Sequence, residues 1–262
     1  MPLTTKKKLK FRRNCVEILF HNFVDKDIQR FVLPLNLVQK ITLCPKYCIK
    51  DNFITPNGFL SNVMSMLLTS LFIFLFGLRV YVVHFNRIYL PSSIATGSYC
   101  DFFFYSTGLS INFFVGVIFT KKNTTLVLTI QRIHKFLNKE IGFKSIIVWN
   151  WIHSVFFLFL QSSTFFYFVS HIKWPFYFLN QFIIVAFDIN IVYTYRMIHL
   201  LEYLVVLWNG RALKLRDVDS EIEIDCDKMF DAYVDIMDCY KMHKECFQYF
   251  VSILNFLTTR QI

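Results

Sequence analysis

Two charged residues lie inside apolar sequence, where ionisable groups are costly and therefore often functional. Asp188 and Arg196 both belong to the apolar block at 176–208, within the stretch DINIVYTYR. Asp188 falls about 12 residues into this block, roughly 18 Å deep at 1.5 Å per residue. We expect it either to face a water-filled pocket or gating contact, or to hydrogen-bond a neighbouring helix. The second interpretation is favoured.

An acidic stretch further along has the spacing that begins a calcium-binding loop. Asp217, Asp219 and Glu221 alternate along the chain, as the first three ligands of an EF-hand do. The sixth position is Ile222, where such a loop needs glycine, and the twelfth is Lys228, where it needs glutamate. We therefore expect no metal here, and instead a solvated acidic segment that faces the basic N-terminal arm.

The sequence shows no pattern typical of an enzyme. Its seven histidines include no i, i+4 pair that would hold a metal on one helix face, and its seven cysteines include no CxxC pair. There is no phosphate-binding glycine loop and no nucleophile elbow. We expect structural thiols, no cofactor and no enzymatic activity.

The composition indicates a membrane protein. Hydrophobic residues make up 55% of the 262 residues and charged residues 18%, which is more apolar than soluble domains are. Four blocks are long enough to cross a bilayer, at about 59–83, 97–120, 145–169 and 176–208. The expected fold class is an all-α, polytopic transmembrane helical bundle in the lipid bilayer. The net charge of +10 is attributed to topology and not to nucleic-acid binding.

The basic residues predict which ends of the spans face the cytosol. Eleven of the 28 Lys and Arg precede residue 58, and six lie in a predicted loop at 121–144. Cytosolic segments next to spans are rich in Lys and Arg. We therefore expect a cytosolic N-terminal region at 1–57, a transmembrane bundle at 58–208, and a cytosolic loop at 121–144 within it.

The last third of the chain predicts helices that extend beyond the bilayer. The fourth block would form about 50 Å of helix, more than a hydrocarbon core of about 30 Å, so its end should project into the cytosol. Nine of the 18 acids lie between 217 and 238, beside an apolar stripe in a cytosolic amphipathic linker at 209–246. The run FQYFVSILNFL in 247–262 predicts the start of a fifth helix that is truncated about halfway across.

This organisation resembles that of the insect gustatory receptors, in particular the divergent type of moths and butterflies. The resemblance depends on LPLNLVQKITLCPKYCIKDNFITPN before the first span, the basic segment after the second, and YRMIHLLEYLVVLWNGRALKL followed by YVDIMDCYKMHKECFQYF. The last two segments are similar to the family's long fourth helix and to the amphipathic lead into its fifth. The resemblance covers roughly residues 31–257.

Membership of this family would imply a seven-helix subunit of a homo- or hetero-tetrameric, ligand-gated cation channel. Such a subunit lies in the plasma membrane of taste neurons with a cytosolic N-terminus, and binds a non-volatile tastant in a pocket that opens outward. The resemblance places these outer-half residues in the pocket zone: Asp101 and Tyr105 on the second span, Phe165 and Tyr167 on the third, and Tyr177 and Gln181 on the fourth. The family's TY…QF motif of the last helix is missing, so we expect an N-terminal fragment that does not conduct.

Two other functions remain open on the sequence alone. An insect odorant receptor shares the same fold, and its terminal motifs are missing here as well. A small polytopic transporter or membrane assembly protein could use Asp188 and Arg196 along a solute path. Inverted repeats would favour a transporter, and the four blocks show none, because the fourth is much longer than the others.

The single N-glycosylation sequon, at Asn123, tests the predicted orientation. Glycans are added on the side of the membrane opposite the cytosol, so Asn123 should carry none. Expression in microsomal membranes followed by endoglycosidase treatment should leave the gel mobility of the chain unchanged. A mobility shift caused by a glycan at Asn123 would overturn the whole topology.

Overall fold

The computed structural model describes residues 22–42, 44–85, 92–137, 143–171, 177–216 and 222–258, and these ranges contain seven helices and one β-hairpin. The expected helical bundle is confirmed, with the hairpin as an exception. The helices are α1 (Lys26–Ile41), α2 (Phe59–Phe85), α3 (Ser92–Ile118), α4 (Thr120–Leu137), α5 (Phe143–His171), α6 (Tyr177–Arg216) and α7 (Ile222–Thr258); the hairpin strands are β1 (Cys48–Lys50) and β2 (Phe53–Thr55).

Four helices among the described residues are long and apolar enough to cross a membrane. Their apolar windows are Phe59–Val82, Thr96–Ile118, Phe143–Tyr167 and Asp188–Lys214. The first three agree with the predicted spans to within a few residues, because length and apolar composition decide both. The fourth begins twelve residues after the start of the predicted block at 176–208 and ends six residues after its end. These helices fit a multi-pass membrane protein.

Two helices continue past the boundaries that the sequence suggested. Helix α6 has 40 residues, about 60 Å at 1.5 Å per residue, so it must extend beyond a hydrocarbon core of about 30 Å. Helix α7 has 37 residues and runs through position 246 without a break. The predicted linker at 209–246 and the predicted fifth helix therefore share one element. The predicted acidic loop at 217–221 lies outside the described residues.

The expectation of a loop at 121–144 is wrong for its larger part, because α4 occupies it as far as Leu137. Only Phe119 separates α4 from α3, and the backbone bonds Phe119 N to Val115 O and Asn123 N to Phe119 O bridge the junction. Helix α4 is buried on most sides, with Leu126 and Ile130 among its core residues. The run of basic residues concealed this apolar face.

A two-residue turn builds the hairpin before α2. Strands β1 and β2 are antiparallel, with Ile49 opposite Ile54. Asp51 and Asn52 have φ angles of 52° and 68°, and two positive φ values are what a tight type I′ hairpin turn requires. The backbone bonds Val24 N to Asn52 O and Ile54 N to Asn22 O fasten the hairpin to the residues that precede α1.

The larger hydrophobic core is concentrated at one end of the spans and includes span residues there, among them Val115, Ile146 and Tyr193. We call the elements around it the extramembrane layer: α1, the hairpin, α4 and the parts of α6 and α7 from Met197 to Leu204 and from Met229 to Phe247. The segment from Met197 to Leu204 also lies within the apolar window Asp188–Lys214, and we assign it to the layer because it packs in this core. Between the spans there is a smaller cluster of Phe72, Phe76, Leu109 and Ala186. Large apolar side chains on the outer faces of the spans are exposed, as lipid-facing positions are: Phe74, Phe103, Phe114, Phe156, Phe159 and Phe166.

Ion pairs set the register of α4 against its neighbours. Lys122 lies 2.7 Å from Glu245 of α7, Arg132 lies 2.5 Å from Asp235 of α7, and Lys135 lies 3.0 Å from Asp25. Each pair is at least partly exposed and stabilises the fold by only about 0–1 kcal/mol. The acidic flank of α7 thus faces the basic helix α4, while the predicted contact with the N-terminal arm lies outside the described residues.

The location of the core predicts effects of different size for substitutions at two isoleucines. Ile130 in α4 is 1% exposed and Ile152 in α5 is 48% exposed. Ile130→Ala should lower the free energy of unfolding by about 2–5 kcal/mol, because it leaves a cavity. Ile152→Ala removes a side chain that faces lipid in our interpretation and should change stability little.

Thermal or denaturant unfolding of the two variants in the same detergent measures the difference. Equal destabilisation by Ile130→Ala and Ile152→Ala would contradict a core that is concentrated in the extramembrane layer.

Candidate functional site

The predicted pocket residues lie on three spans, and four of their side chains are described. Asp101 and Tyr167 are exposed, and Tyr105 and Phe165 are partly buried. The Tyr105 ring packs edge-on against Phe76 of α2 at a centroid distance of 6.2 Å. Their assignment to a ligand pocket remains a prediction.

The side chains of the two other predicted pocket residues, Tyr177 and Gln181, lie outside the described part of the structure. Both positions belong to the first turns of α6. The backbone therefore places them at the same end of the bundle as the start of α3 and the end of α5. Ring contacts elsewhere in this zone join Phe165 to its neighbour Phe166 at 5.6 Å.

Asp188 makes a hydrogen bond between two spans. Gln161 of α5 donates from Nε2 to Asp188 Oδ2 at 3.2 Å. A carboxylate that accepts a hydrogen bond inside a bundle helps to hold its helices together. Asp188 is therefore in contact with a neighbouring helix, and its role remains a prediction.

Arg196 is buried in a polar cluster that joins three helices. Its Nε donates to Asn150 Oδ1 of α5 at 3.0 Å, and its Nη2 donates to the Ile146 carbonyl at 3.2 Å. Asn150 in turn donates from Nδ2 to the carbonyl of Phe31 in α1. Arg196 therefore ties α6 to α5 and, through Asn150, to the extramembrane layer.

The depth of this cluster follows from its neighbours along the bundle. Asn112 of α3 contacts the Ala186 carbonyl of α6 at 3.5 Å, and α3 ends six residues later at Ile118. Because α3 and α6 run in the same direction, Ile118 of α3 lies at about the same height along the bundle as residue 192 of α6. That height is one turn before Arg196. If the bilayer ends at the level of Ile118, Arg196 lies about one turn beyond that level, and its partner Asn150 lies beside it.

Lys46 is the central residue of a second polar cluster, which the sequence pattern did not single out. Its side chain is 0% exposed, and Nζ donates to Asn112 Oδ1 at 2.9 Å. The Lys46 carbonyl accepts from Thr120 at 3.0 Å, and Thr120 Oγ1 accepts from the Asn57 backbone at 3.1 Å. Burial lowers the pKa of Lys46 from 10.5 to about 8, opposed by the nearby thiols of Cys44 and Cys246.

A third set of buried groups joins α6 to α7. The ring of His243 contacts the Thr194 carbonyl through Nε2 at 3.2 Å and stacks on Phe247 at 4.8 Å. Phe247 also packs against Tyr193 at 5.6 Å. Burial raises the pKa of the Cys246 thiol to about 11, so this thiol is protonated near neutral pH and unreactive.

A small open cleft lies beside the Lys46 cluster. It encloses about 210 Å³, including its open mouth, between the loop before α2, the first turns of α2 and the last turns of α3. The residues that line it are Cys44, Pro45, Asn57, Asn62, Ser65, Asn112, Phe113, Gly116 and Val117. This cleft is at the opposite end of the spans from the predicted pocket zone.

Each of the three clusters joins elements of the fold to one another. In the described ranges, no group of three or more His, Cys, Asp or Glu side chains is placed to hold a metal ion. The cluster around Arg196 connects α5 and α6 to α1, that around Lys46 connects α3 to the hairpin segment, and that around His243 connects α6 to α7. Buried polar contacts of this kind hold a defined geometry because breaking one leaves a buried group unsatisfied.

His243 predicts a pH dependence of stability. Burial lowers the pKa of His243 from 6.5 to about 4, opposed by its contact with the Thr194 carbonyl. Between about pH 6.5 and about pH 4 the unfolded chain therefore binds a proton that the folded chain does not. The free energy of unfolding should fall as the pH is lowered through this window.

Thermal unfolding as a function of pH tests this prediction in His243→Gln, which does not titrate and keeps a donor for the Thr194 carbonyl. The variant should lose this part of the acid sensitivity. His199→Gln, at an exposed position of α6, is the matched control and should keep it. Identical pH profiles for the wild type and His243→Gln would refute the assignment.

Comparison with protein-family models, with curated proteins and with solved structures finds no match to this chain. The functional argument therefore depends on the sequence pattern and on the geometry described above. Together they describe a multi-pass helical bundle whose spans are joined by polar clusters to a packed layer.

Proposed function

We propose that the chain belongs to a subunit of a ligand-gated cation channel of the insect gustatory receptor type. In this proposal the subunit lies in the plasma membrane with its N-terminus and the extramembrane layer on the cytosolic side. It assembles with like subunits and detects a non-volatile chemical. The support comes from the sequence resemblance and from one feature of the fold.

That feature is the continuity of α6 from the predicted pocket zone into the extramembrane layer. The helix begins at Tyr177, contacts Gln161 through Asp188, and continues unbroken into the core around Leu200. A helix is stiff over this length, so a ligand that displaces its outer half also moves its inner half. Arg196 and His243 would pass that movement to α5 and α7.

In this mechanism the ligand acts by population shift. The subunit would have two arrangements of α3, α5 and α6, and the ligand must bind one of them more tightly than the other. The ratio of the two affinities sets how far the equilibrium between the arrangements moves. The bistable element would be the junction of α6 with α7, where the Thr194 carbonyl meets His243. Conduction, in the fold that the resemblance implies, belongs to a seventh helix.

The transporter alternative is less well supported by the same residues. Transporters of known architecture often bind their solutes where a spanning helix is discontinuous. Helix α6 is continuous at Asp188 and Arg196, and both side chains make hydrogen bonds to α5. An odorant receptor shares the implied fold and remains the second candidate.

Ligand binding by the chain in nanodiscs tests the proposal. The probes are caffeine, as a plant alkaloid, and fructose, as a sugar, with binding measured by isothermal calorimetry. For a probe that binds, Tyr105→Ala should raise the dissociation constant about tenfold. This corresponds to a loss of about 1.4 kcal/mol of binding free energy, attributed to the lost ring contact. Phe103→Ala, at an exposed position of the same helix, is the matched control and should bind as the wild type does.

Three outcomes would count against the proposal. The first is saturation of the protein by neither probe, the second is equal binding by Tyr105→Ala and Phe103→Ala, and the third is accumulation of a bound probe inside sealed proteoliposomes. The last result would identify a transporter.

A further inference from the structure

Helix α1 has an exposed stripe whose chemistry changes along its length. The buried side of α1 packs into the core with Ile28, Phe31 and Leu35. On the other side, the first half exposes charged residues, Lys26, Asp27 and Arg30. The second half exposes Leu33, Leu37 and Ile41, which are 47%, 47% and 57% exposed, with Lys40 beside them. These three apolar residues recur every fourth position and so form one row.

Contacts at both ends of the second half fix its level in the bundle. At its start, the Phe31 carbonyl accepts from Asn150 of α5. Just beyond its end, the Pro45 carbonyl lies against Gly116 of α3, two residues before α3 ends. Both contacts lie near the level at which α3 ends, so the segment between them runs along that level.

The start of α1 is held against α4. The Asp25 backbone donates to Gln131 at 2.8 Å, and its carboxylate pairs with Lys135 at 3.0 Å. Both partners lie in the half of α4 that is remote from α3. The charged part of the stripe therefore lies beside the end of α4 that is remote from α3, and the apolar part lies beside the ends of the spans.

The neighbouring surface of α5 has the same character. Val148, Trp149 and Ile152 flank Asn150 and are all exposed. Tryptophan is enriched where membrane proteins cross from lipid to water. The apolar row of α1 is thus level with the edge of the exposed apolar surface of the spans.

We infer that the row of Leu33, Leu37 and Ile41 inserts into the lipid at the edge of the bilayer, and that the Lys40 ammonium contacts lipid phosphate. An amphipathic helix that lies in the membrane interface has this arrangement of apolar and basic residues. The partner is the bilayer leaflet in which α3 ends. This inference requires only that the spans cross a membrane, and it is independent of the proposed receptor function.

Photo-crosslinking of the full chain in nanodiscs of phosphatidylcholine and phosphatidylserine tests the inference. The photoreactive residue p-benzoylphenylalanine replaces Leu37, and mass spectrometry counts the lipid adducts after irradiation. Phe230 is the matched control: it is an exposed apolar residue on α7, 13 residues before His243 and therefore about 20 Å further from the membrane. Phe159 on the outer face of α5 is the positive control.

Lipid adducts at position 37 should exceed those at position 230 several-fold and approach those at position 159. Equal yields at positions 37 and 230, with adducts at position 159, would overturn the inference. A crosslink from position 37 to a second copy of the chain would overturn it as well. Size-exclusion profiles that match the wild type show that each labelled chain is folded.

The role of Lys40 has a separate readout in the same nanodiscs. Lys40→Gln should lower the ratio of phosphatidylserine to phosphatidylcholine among the adducts at position 37, because it removes the cation nearest to the row. Arg30→Gln, on the charged half of the same stripe, is the control and should leave the ratio unchanged. An unchanged ratio in Lys40→Gln would remove lysine from the proposed contact.

Discussion

Packing of apolar side chains stabilises a fold only where water is the alternative environment, and this constraint explains where the core of the chain lies. In lipid, a phenylalanine loses nothing by facing an acyl chain, so spans associate through close packing and hydrogen bonds. The structure shows both situations. The cluster around Phe76 between the spans is small, whereas the extramembrane layer has a core that extends from Val24 to Phe247.

The polar clusters lie where these two environments meet. Lys46, Asn150 and Arg196 are all buried near the ends of the spans, where a buried amide or cation without a partner would be costly. Each makes hydrogen bonds to another helix or to a backbone carbonyl. These bonds add little net stability, but they permit few alternative arrangements. They therefore fix the position of the spans relative to the layer.

The sequence predicts the spans well and the layer poorly, for physical reasons. A span needs only length and apolar composition, which 59–83 and 97–120 display directly. The sequence predicts a loop in place of α4, because the six basic residues of 121–144 are typical of a cytosolic loop. The apolar face of α4 had a usable signal, since Leu126, Ile130 and Ile133 have helical spacing. The hairpin had a usable signal in CIKDNFIT, where an Asp-Asn pair separates two short β-prone runs.

Other features had no local signal. Nothing in the residues around Lys46 shows that this lysine would be buried, since its partner Asn112 lies 66 residues away. The same holds for Asn150, which lies inside the predicted span at 145–169. The sequence alone shows that Arg196 and Asp188 are unusual, because a charged residue within an apolar block can be identified without knowledge of the fold. Their partners depend on how the helices are arranged in space.

The wide separation in sequence of the residues that form the core also affects how the protein is made. The layer joins α1 to α7, and the Lys122–Glu245 pair spans 123 residues. Spans enter the membrane one after another during synthesis, so all four are in place before α7 leaves the ribosome. Until then the face of α4 that packs against α7 has no partner, and such surfaces promote aggregation and are bound by chaperones. A ribosome that stalls shortly before α7 would therefore release a protein that is correctly inserted and still lacks the part of its core that α7 completes.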